Sequence, residues 1–342
     1  MNLFKFKPNR FWTGLLTATI FSLLGTQTIL AQAPDIQAAK KEGKVVVYGT
    51  TIPKVIQPIH TAFEKRYGIR VEYWRASATA VVDRAITEWR SGNPSFDVAF
   101  GINGTITLLK RENALTRYTP PAAAKFPAAV RDKDGILTAF RHTPLAVLYN
   151  TELVKPADLP KSFDDLLDAK WQNKIVMPDP SRHTSTAQFL WNLQKIKGDK
   201  WMDYVKALAK QKPFLVESLA PVPNALVKGE GHLGISYAQY AAQVKGPLSL
   251  VVFDKVFTDS TDLGLGAKAI NANAGKLYME YLCTPEAQKA IADSGDFPLY
   301  PGIYPAVKDA DKIVANAVFM DNPTSEQFKK LKEDFRKIFL AR

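Results

Sequence analysis

Short apolar runs alternate with amphipathic stretches through the first hundred residues, and this alternation constrains the fold more than any other feature. KVVVY at 44–48 is typical of a buried strand, and the next segment places Ile56, Ile59, Phe63 and Tyr67 at helical spacing. A strand-like IRVEYW, a helix-like TAVVDRAITEWR and a strand-like FDVAF follow. This order repeats the β-α-β unit and predicts a doubly wound α/β lobe.

The middle third of the chain predicts a second lobe. It contains helix-like segments around 163–167 and 187–196 and strand-like segments around 174–177, 214–216 and 233–236. The apolar runs LAVLYN and LSLVVF bracket it and are candidates for chain crossings between the lobes. A chain of this length exceeds one comfortable core, so two lobes are expected. The predicted boundaries are 32–145 plus 255–300 for lobe 1, 146–254 for lobe 2, and 301–342 for a C-terminal helical segment that packs on a lobe.

Residues 1–31 are typical of a secretory signal peptide. Three basic residues precede the apolar FWTGLLTATIFSLL, and small residues lie near Ala31 and Ala33. Cleavage is expected after Ala31, because cutting after Ala33 would leave Pro34 next to the scissile bond. A membrane anchor is the alternative, but the apolar core is shorter than the roughly 20 residues that span a bilayer. The segment predicts export of the mature chain.

The single cysteine and the charge narrow the class of protein further. Cys283 lies at an apolar position of a helical pattern, far from where a lipid-attachment cysteine would lie, so we expect it to be buried and inert. Together with export, this predicts a soluble periplasmic protein of a Gram-negative cell. The net charge of +12 comes without long basic runs, which argues against nucleic acid and favours small anions.

Two segments share the pattern Arg, any residue, hydroxyl, any residue, Thr, Ala: RASATA at 75–80 and RHTSTA at 182–187. Each follows a strand-like run and opens a helix-like one, in different predicted lobes. Hydroxyls favour helix starts, so two capped, solvated turns are one interpretation. Alternatively, both turns face a shared cleft beyond the carboxyl ends of the strands, where anions bind helix starts. This second interpretation assigns to the cleft Arg75, Ser77, Thr79, Arg182, Thr184, Ser185 and Thr186.

Motifs for other chemistries are absent or misplaced in the sequence. GEGHLG at 229–234 has the spelling of a dinucleotide fingerprint, but its glycines precede an apolar run, so it predicts a helix-to-strand turn and no cofactor. The chain has no G-x-S-x-G, H-E-x-x-H or G-x-x-x-x-G-K-[ST], and its four histidines are scattered. We expect a binding protein rather than an enzyme. A secreted enzyme acting on a small anion is the alternative from another class.

Three long segments resemble one family. KVVVYGTT with FEKRYGIRVEYWRAS, LYNTELVKPADLPKSFDDLLDAKWQNKIVMPDPS, and NANAGKLYMEYLCTPEAQKAIADSGDFPLYPG are similar to the periplasmic solute-binding proteins of ABC importers, of the ferric-iron-binding type. The resemblance implies a two-lobed type II periplasmic binding protein clamshell with a crossover-strand hinge. Ligand would bind between the lobes and favour the closed form. It also implies an importer permease in the inner membrane as partner, and we expect a monomer.

The resemblance weakens where ferric relatives hold their metal. Those relatives use clusters of tyrosinates, commonly with two adjacent tyrosines after the strand that corresponds to 233–236. Here Gln239 takes the place of the first tyrosine and Tyr240 that of the second. Near Tyr48, where ferric binders often add a charged or imidazole ligand, the chain has Gly-Thr-Thr.

Guanidinium and hydroxyl groups suit an oxyanion instead. The leading prediction is a phosphonate, organic phosphate or carboxylate, and ferric iron held by Tyr48, Tyr237 and Tyr240 is the alternative. Quieter interpretations place the tyrosines in the core and pair Arg75 with Asp83 or Glu88. Besides the residues of the two Arg turns, the predicted ligand-binding residues are Tyr48, Thr50, Thr51, Asn103, Tyr237 and Tyr240.

Overall fold

The structure, a computed structural model, describes residues 33–340 together with Met1 and Leu3, and describes Thr79 by its backbone alone. The predicted signal peptide therefore lies outside the described residues but for those two positions. Among the described residues, none of the helices has both the length and the apolar composition needed to cross a membrane.

The strands follow the pattern that the apolar runs predict. Those of the described residues are β1 (Lys44–Gly49), β2 (Arg70–Arg75), β3 (Val98–Ile102), β4 (Leu115–Thr116), β5 (Thr138–Asn150), β6 (Ile175–Pro178), β7 (Phe214–Val216), β8 (Leu233–Tyr237), β9 (Leu248–Val251), β10 (Val256–Gly266), β11 (Phe297–Pro298) and β12 (Ala317–Phe319).

Helices connect most of these strands. Those of the described residues are α1 (Ile36–Glu42), α2 (Pro53–Tyr67), α3 (Ala78–Arg90), α4 (Asn103–Arg111), α5 (Thr184–Asn192), α6 (Gln194–Lys197), α7 (Trp201–Lys210), α8 (Val222–Val227), α9 (Tyr240–Gln243), α10 (Ala272–Leu282), α11 (Pro285–Asp293), α12 (Ala310–Ala315) and α13 (Ser325–Leu340). The helix expected around 163–167 is a 3-10 turn, Asp164–Leu167.

The long strand β5 belongs to two sheets. Its first part, Thr138–Pro144, pairs with β10 in the first sheet, whose main order is β2-β1-β3-β10-β5. Its second part, Leu145–Asn150, pairs with β8 and β9 in the second sheet, which continues through β6 to β7. The chain therefore passes from one sheet to the other within one strand, between Pro144 and Leu145.

Parallel pairing sets the direction in which each sheet points. β1 is parallel to β2 and β3, and β6 is parallel to β7 and β8, as β-α-β connections require. The carboxyl ends of β1, β2 and β3 therefore lie at one edge of the first sheet, and those of β6, β7 and β8 lie at one edge of the second.

The second chain crossing differs from the expected one. LSLVVF was a candidate for it, but Leu248–Val251 is strand β9 and pairs antiparallel with β5 in the second sheet. The chain returns to the first sheet only through 252–255, and β10 is the strand that then lies beside β5. The apolar run forms a half-buried strand within one sheet rather than a crossing.

Separate apolar clusters cover the two sheets. Phe63, Phe100 and Tyr278 are fully buried over the first sheet, whereas Phe189 and Phe335 belong to a cluster on the second. Phe335 lies on α13, which packs against α5 and α7. The exact lobe boundaries predicted from sequence stay a prediction.

Candidate ligand-binding site

A cavity of about 310 Å³ lies between the carboxyl ends of strands from both sheets. In open α/β sheets this is where ligands bind, because the connecting helices begin there. The first sheet contributes the ends of β1, β2 and β3, and the second contributes the end of β8 and helix α9. We call it the cleft cavity, and its lining residues are Thr50, Thr51, Ile52, Val55, Arg75, Ala76, Ser77, Ala78, Ile102, Arg141, Thr143, Tyr237, Gln239, Tyr240, Gln243, Thr261 and Asp296.

Three helices of the first sheet begin at this cavity. α2 starts after Ile52, α3 after Ser77 and α4 after Ile102. Only α3 has a side-chain cap, in which the Ser77 hydroxyl accepts a hydrogen bond from the backbone N–H of Ala80 at 3.3 Å. Each helix start carries unpaired N–H groups and a partial positive charge. This wall of the cavity favours a negatively charged ligand.

Arg75 adds a full positive charge to the same wall. It ends β2, its residue is exposed, and its guanidinium forms no ion pair or side-chain hydrogen bond with the described residues. Glu88, one of its predicted partners, instead accepts hydrogen bonds from Arg84 and Tyr48. The Arg75 guanidinium thus lines the cleft cavity without a partner among the described residues.

A second arginine lies at the floor of the cavity, and sequence reasoning missed it. Arg141 on β5 forms an ion pair with Asp296 and donates from Nη2 to the Thr51 hydroxyl at 3.1 Å. Its Nε is buried without a hydrogen-bond partner among the described residues. Asp296 offsets much of the charge of Arg141. The guanidinium therefore positions Thr51 and has its Nε–H left to donate to a ligand.

The wall contributed by the second sheet carries two phenols and an amide. The rings of Tyr237 and Tyr240 contact at a centroid distance of 5.7 Å, and both residues line the cavity. Burial raises the pKa of Tyr237 to about 12, although the hydroxyls of Ser185 and Thr143 act in the opposite direction. Burial also raises the pKa of Tyr240. Gln239 is buried, with its Oε1 unpaired among the described residues. This wall offers neutral donors and acceptors.

The second Arg turn does not reach the cavity as predicted. The Arg182 side chain is 78% exposed and lies 3.7 Å from Asp179. Thr184 is exposed and its hydroxyl accepts a hydrogen bond from Lys332, while Thr186 is buried with its hydroxyl 2.9 Å from His183 Nδ1. Arg182, Thr184 and Thr186 are therefore corrected from cleft residues to turn residues. Within this turn, Ser185 lies near enough to the cleft phenol Tyr237 for its hydroxyl to lower the pKa of that phenol against the effect of burial.

Tyr48 is also corrected. It is buried among Trp74, Phe96 and the guanidinium of Arg84, on the face of the first sheet away from the cleft cavity. Its hydroxyl donates to Glu88 at 2.9 Å, and burial followed by this hydrogen bond raises its pKa to about 12. Tyr48 lies within β1, whereas Thr50 and Thr51, which line the cleft cavity, follow the end of the strand at Gly49.

Asn103 opens α4 beside the cleft cavity but faces a second cavity. Its amide hydrogen-bonds with Asp262 and Asn322. Gly104 makes room for Asn322, since a Cβ at position 104 would lie 2.6 Å from the Asn322 Oδ1 atom. Asn103 is thus a polar residue of the inter-sheet region, though not of the cleft cavity itself. The backbone of Thr79 lies in the first turn of α3.

Five polar residues of the cleft cavity escaped sequence analysis, namely Arg141, Thr143, Gln243, Thr261 and Asp296. Thr143 and Thr261 lie on β5 and β10, which pair antiparallel across the floor. The sequence does contain a sign of these residues: the polar segments FRHTP and TDST lie within strands that are otherwise apolar. Polar side chains in a buried strand indicate a ligand or a satisfied network, but their direction depends on the sheet pairing.

Fold and cavity together define a two-lobed α/β protein with a cavity between its two sheets. The sequence model of the family "Bacterial extracellular solute-binding protein" matches residues 59–320. The chain belongs to this family. The predicted resemblance and fold class, the two-lobed type II periplasmic binding protein, are confirmed.

Individual relatives agree with the family. The chain is 26% identical over 263 residues to a putative 2-aminoethylphosphonate-binding periplasmic protein of Salmonella typhimurium, covering 72% of this chain and 74% of the relative. It is 30% identical to the probable ABC transporter periplasmic-binding protein y4fP of Sinorhizobium fredii over 122 residues, about a third of each chain. Among solved structures, iron-bound HitA from Pseudomonas aeruginosa superposes with a TM-score of 0.71 at 17% identity, covering 85% of this chain and 99% of HitA.

Proposed function

We propose that this chain is the periplasmic capture subunit of an ABC-type importer and that its solute is a small oxyanion: a phosphonate, an organic phosphate or a carboxylate. The observation that carries the proposal is the unpaired Arg75 guanidinium beside the starts of α2, α3 and α4 in the cleft cavity. Planar guanidinium matches the paired oxygens of these anions, and helix starts add N–H donors.

The hydroxyls of the cavity supply neutral hydrogen bonds around such an anion. Thr50 and Ser77 lie on the side of Arg75, and Thr143 and Tyr237 lie across from them. A solute that contacts both walls has differential affinity for the closed form, which is what drives hinge closure. The Salmonella relative, named for a phosphonate, is in keeping with this solute class.

Export and transport follow as parts of the same proposal. The family and the relatives are extracellular or periplasmic binding proteins, and the sequence at 1–31 is typical of a signal peptide. The mature chain would act as a monomer that delivers the closed, loaded form to an inner-membrane permease. It performs no chemistry on its solute in this proposal, so bound solute should be recovered unchanged after hours of incubation.

Ferric iron is a second candidate, favoured by the paired phenols Tyr237 and Tyr240 in the cavity. With Tyr48 turned into the core and Gln239 beside them, two tyrosines remain in this cavity for a hard cation. Among residues 33–340, no group of three His, Cys, Asp or Glu side chains could hold a metal ion. Iron would therefore need a synergistic anion on Arg75.

Thermal unfolding of the purified mature chain with a solute panel tests the proposal. A ligand at 100 times its Kd adds about 2.7 kcal/mol to the free energy of unfolding, which moves the midpoint by a few degrees. We expect a shift with phosphonates, organic phosphates or small carboxylates, and compaction in solution scattering. A shift with Fe(III)-citrate alone, with visible tyrosinate colour that Tyr240→Phe removes, would establish iron instead.

A further inference from the structure

A second cavity, of about 440 Å³, also borders β10, which pairs with β5 where the chain passes between the two sheets. Its residues come from α4, the loop at 129–137, β10, and the end of β12 with the segment that follows it. We call it the hinge cavity. The lining residues that matter here are Asn103, Lys110, Arg131, Lys133, Asp259 and Asp262.

Two carboxylates in this cavity are buried without a cation. Asp259 and Asp262 are each 3% exposed, and neither forms a salt bridge within the described part of the chain. Asp259 Oδ1 accepts from the backbone N–H of Ser260 at 2.9 Å, and Asp262 Oδ2 accepts from the Asn103 amide. The other oxygens, Asp259 Oδ2 and Asp262 Oδ1, have no partner there. Unpaired buried carboxylates destabilise a fold unless a cation or proton joins them.

No cation that lines the hinge cavity pairs with these two carboxylates in the described part of the chain. Lys110 binds Asp132 at 2.5 Å and Asp134 at 2.7 Å, Arg131 donates to the backbone carbonyls of Ala124 and Phe126, and Lys133 is exposed. On the cleft side, Arg141 binds Asp296. Burial, followed by the charge of Asp262, raises the pKa of Asp259 to about 7, and burial raises the pKa of Asp262 to about 6. Both groups can ionise near neutral pH when a positive ligand group arrives.

The carboxylates lie close to the cleft cavity. Thr261, between them on β10, lines the cleft cavity, and the regular pairing of β10 with β5 shifts between Thr261 and Asp262. At about 3.3 Å per residue, positions 259 and 261 are separated by about 7 Å along the strand. The charge of Asp259 also contributes to the raised pKa of Tyr237, which lines the cleft cavity. The Thr261 hydroxyl is buried and unpaired as well.

We infer that Asp259, Asp262 and Thr261 form a subsite for the ammonium group of the solute, so that the captured solute is a zwitterion with its oxyanion at Arg75. An ammonium group carries three donors. Among the described residues, each of the three residues has one buried oxygen without a partner: the two carboxylate oxygens belong to residues of the hinge cavity, and the Thr261 hydroxyl belongs to a residue of the cleft cavity. A primary ammonium fits better than a metal ion, because two carboxylates without a third acidic or imidazole ligand make a poor metal site. The inference rests on the proposed function for the oxyanion end.

Isothermal titration of the mature chain with two isosteric probes tests the subsite. 2-Aminoethylphosphonate and n-propylphosphonate differ in that one has an ammonium where the other has a methyl group. We expect the wild type to bind the ammonium probe at least tenfold more tightly. Asp259→Asn and Asp262→Asn should each bring the ratio of the two dissociation constants towards one. The matched control, Asp254→Asn, removes an exposed carboxylate just before β10 and should keep the wild-type ratio.

Two further measurements separate the subsite from the oxyanion proposal. Arg75→Ala should weaken both probes alike and leave their ratio unchanged. If neither probe binds, ethylammonium chloride is titrated into ¹³C-labelled protein, with sodium chloride as the reference. Shifts of the Asp259 and Asp262 carboxyl resonances with ethylammonium alone would then support the subsite without the oxyanion. Equal affinities of the wild type for the two probes would overturn the subsite. Where no probe binds, equal shifts of the two carboxyl resonances with ethylammonium and with sodium would overturn it as well.

Discussion

Two turns of this protein share one sequence pattern and have different environments. RASATA at 75–80 opens α3 with its guanidinium free and its hydroxyl-capped helix start on the cleft cavity. RHTSTA at 182–187 opens α5 with its arginine in solvent and Thr186 buried. The first turn is available to a ligand, whereas the second is occupied by its own hydrogen bonds.

The residues just before each turn account for the difference. Asp179 precedes the second turn and accepts from the backbone N–H and the hydroxyl of Ser181, at 2.8 and 2.7 Å. It also attracts Arg182 away from the cleft. His183 then caps α5 by accepting from the backbone N–H of Thr186. Glu72 stands at the corresponding place before the first turn, but it pairs with Lys44 and Arg70. The Arg75 guanidinium therefore keeps no partner among the described residues. Unpaired groups, rather than a shared pattern, mark the binding turn.

Arginine removal should separate the two turns most strongly. Arg75→Ala is expected to weaken an oxyanionic solute by about 1.5–3 kcal/mol, the scale of hydrogen bonds to charged groups, or roughly 10- to 150-fold in Kd. Arg182→Ala, the matched control, should leave Kd within twofold because its guanidinium lies in solvent. Titration calorimetry with the solute found in the thermal screen checks both. Equal losses in the two variants would contradict the distinction between the turns.

For the free energy of unfolding, we expect the second turn to be more sensitive to substitution than the first, the reverse of the order expected for solute binding. Thr186→Val removes a buried hydroxyl that contacts His183 Nδ1, and should lower the free energy of unfolding by about 1–2 kcal/mol. Ser77→Ala removes an exposed cap with a long 3.3 Å hydrogen bond and should cost about 0.5 kcal/mol. Urea unfolding of both variants measures the difference. A larger loss for Ser77→Ala would show that the first turn is the more tightly built one.

The α/β class, the β-α-β order and most element positions could be predicted from sequence, because apolar periodicity reports burial directly. Three predicted residues that line the cleft cavity, Arg75, Thr50 and Thr51, follow from the rule that ligands lie beyond strand ends. Arg182 and Tyr48 do not line it, and placing them required knowing which way a side chain points. That direction depends on Asp179 in one turn and on Glu88, distant in sequence, in the core.

Acid should loosen the second turn and spare the first. Burial, then the charge of Lys332, lowers the pKa of His183 to about 4, below its ordinary value of 6.5. Between these values the unfolded chain binds a proton that the folded chain does not, so stability falls as pH drops from about 6.5 to 4. Relative to wild type, His183→Asn, which keeps a good cap, should lose a few degrees less of Tm over this range.

The matched variant for this pH measurement is Ser77→Ala in the first turn. Its cap carries no titratable group, so its Tm should decline with pH as steeply as that of the wild type. The buried His60 and His142 also have lowered pKa values, but they remain in every variant and cancel in the comparison. A His183→Asn profile parallel to the wild type would show that this cap does not couple to pH.

Ser185 should show the smallest effect, because it links the second turn to the cleft through a neighbour. Ser185 is half-buried near the Tyr237 phenol. Burial raises the pKa of the phenol, and the Ser185 hydroxyl lowers it. Ser185→Ala is therefore expected to weaken solute binding by about 0.5–1 kcal/mol, a neutral hydrogen bond, or roughly two- to fivefold in Kd. Tyr237→Phe should abolish that increment, since the serine acts through the phenol. Additive losses in the double variant would instead mean that Ser185 contacts the solute itself.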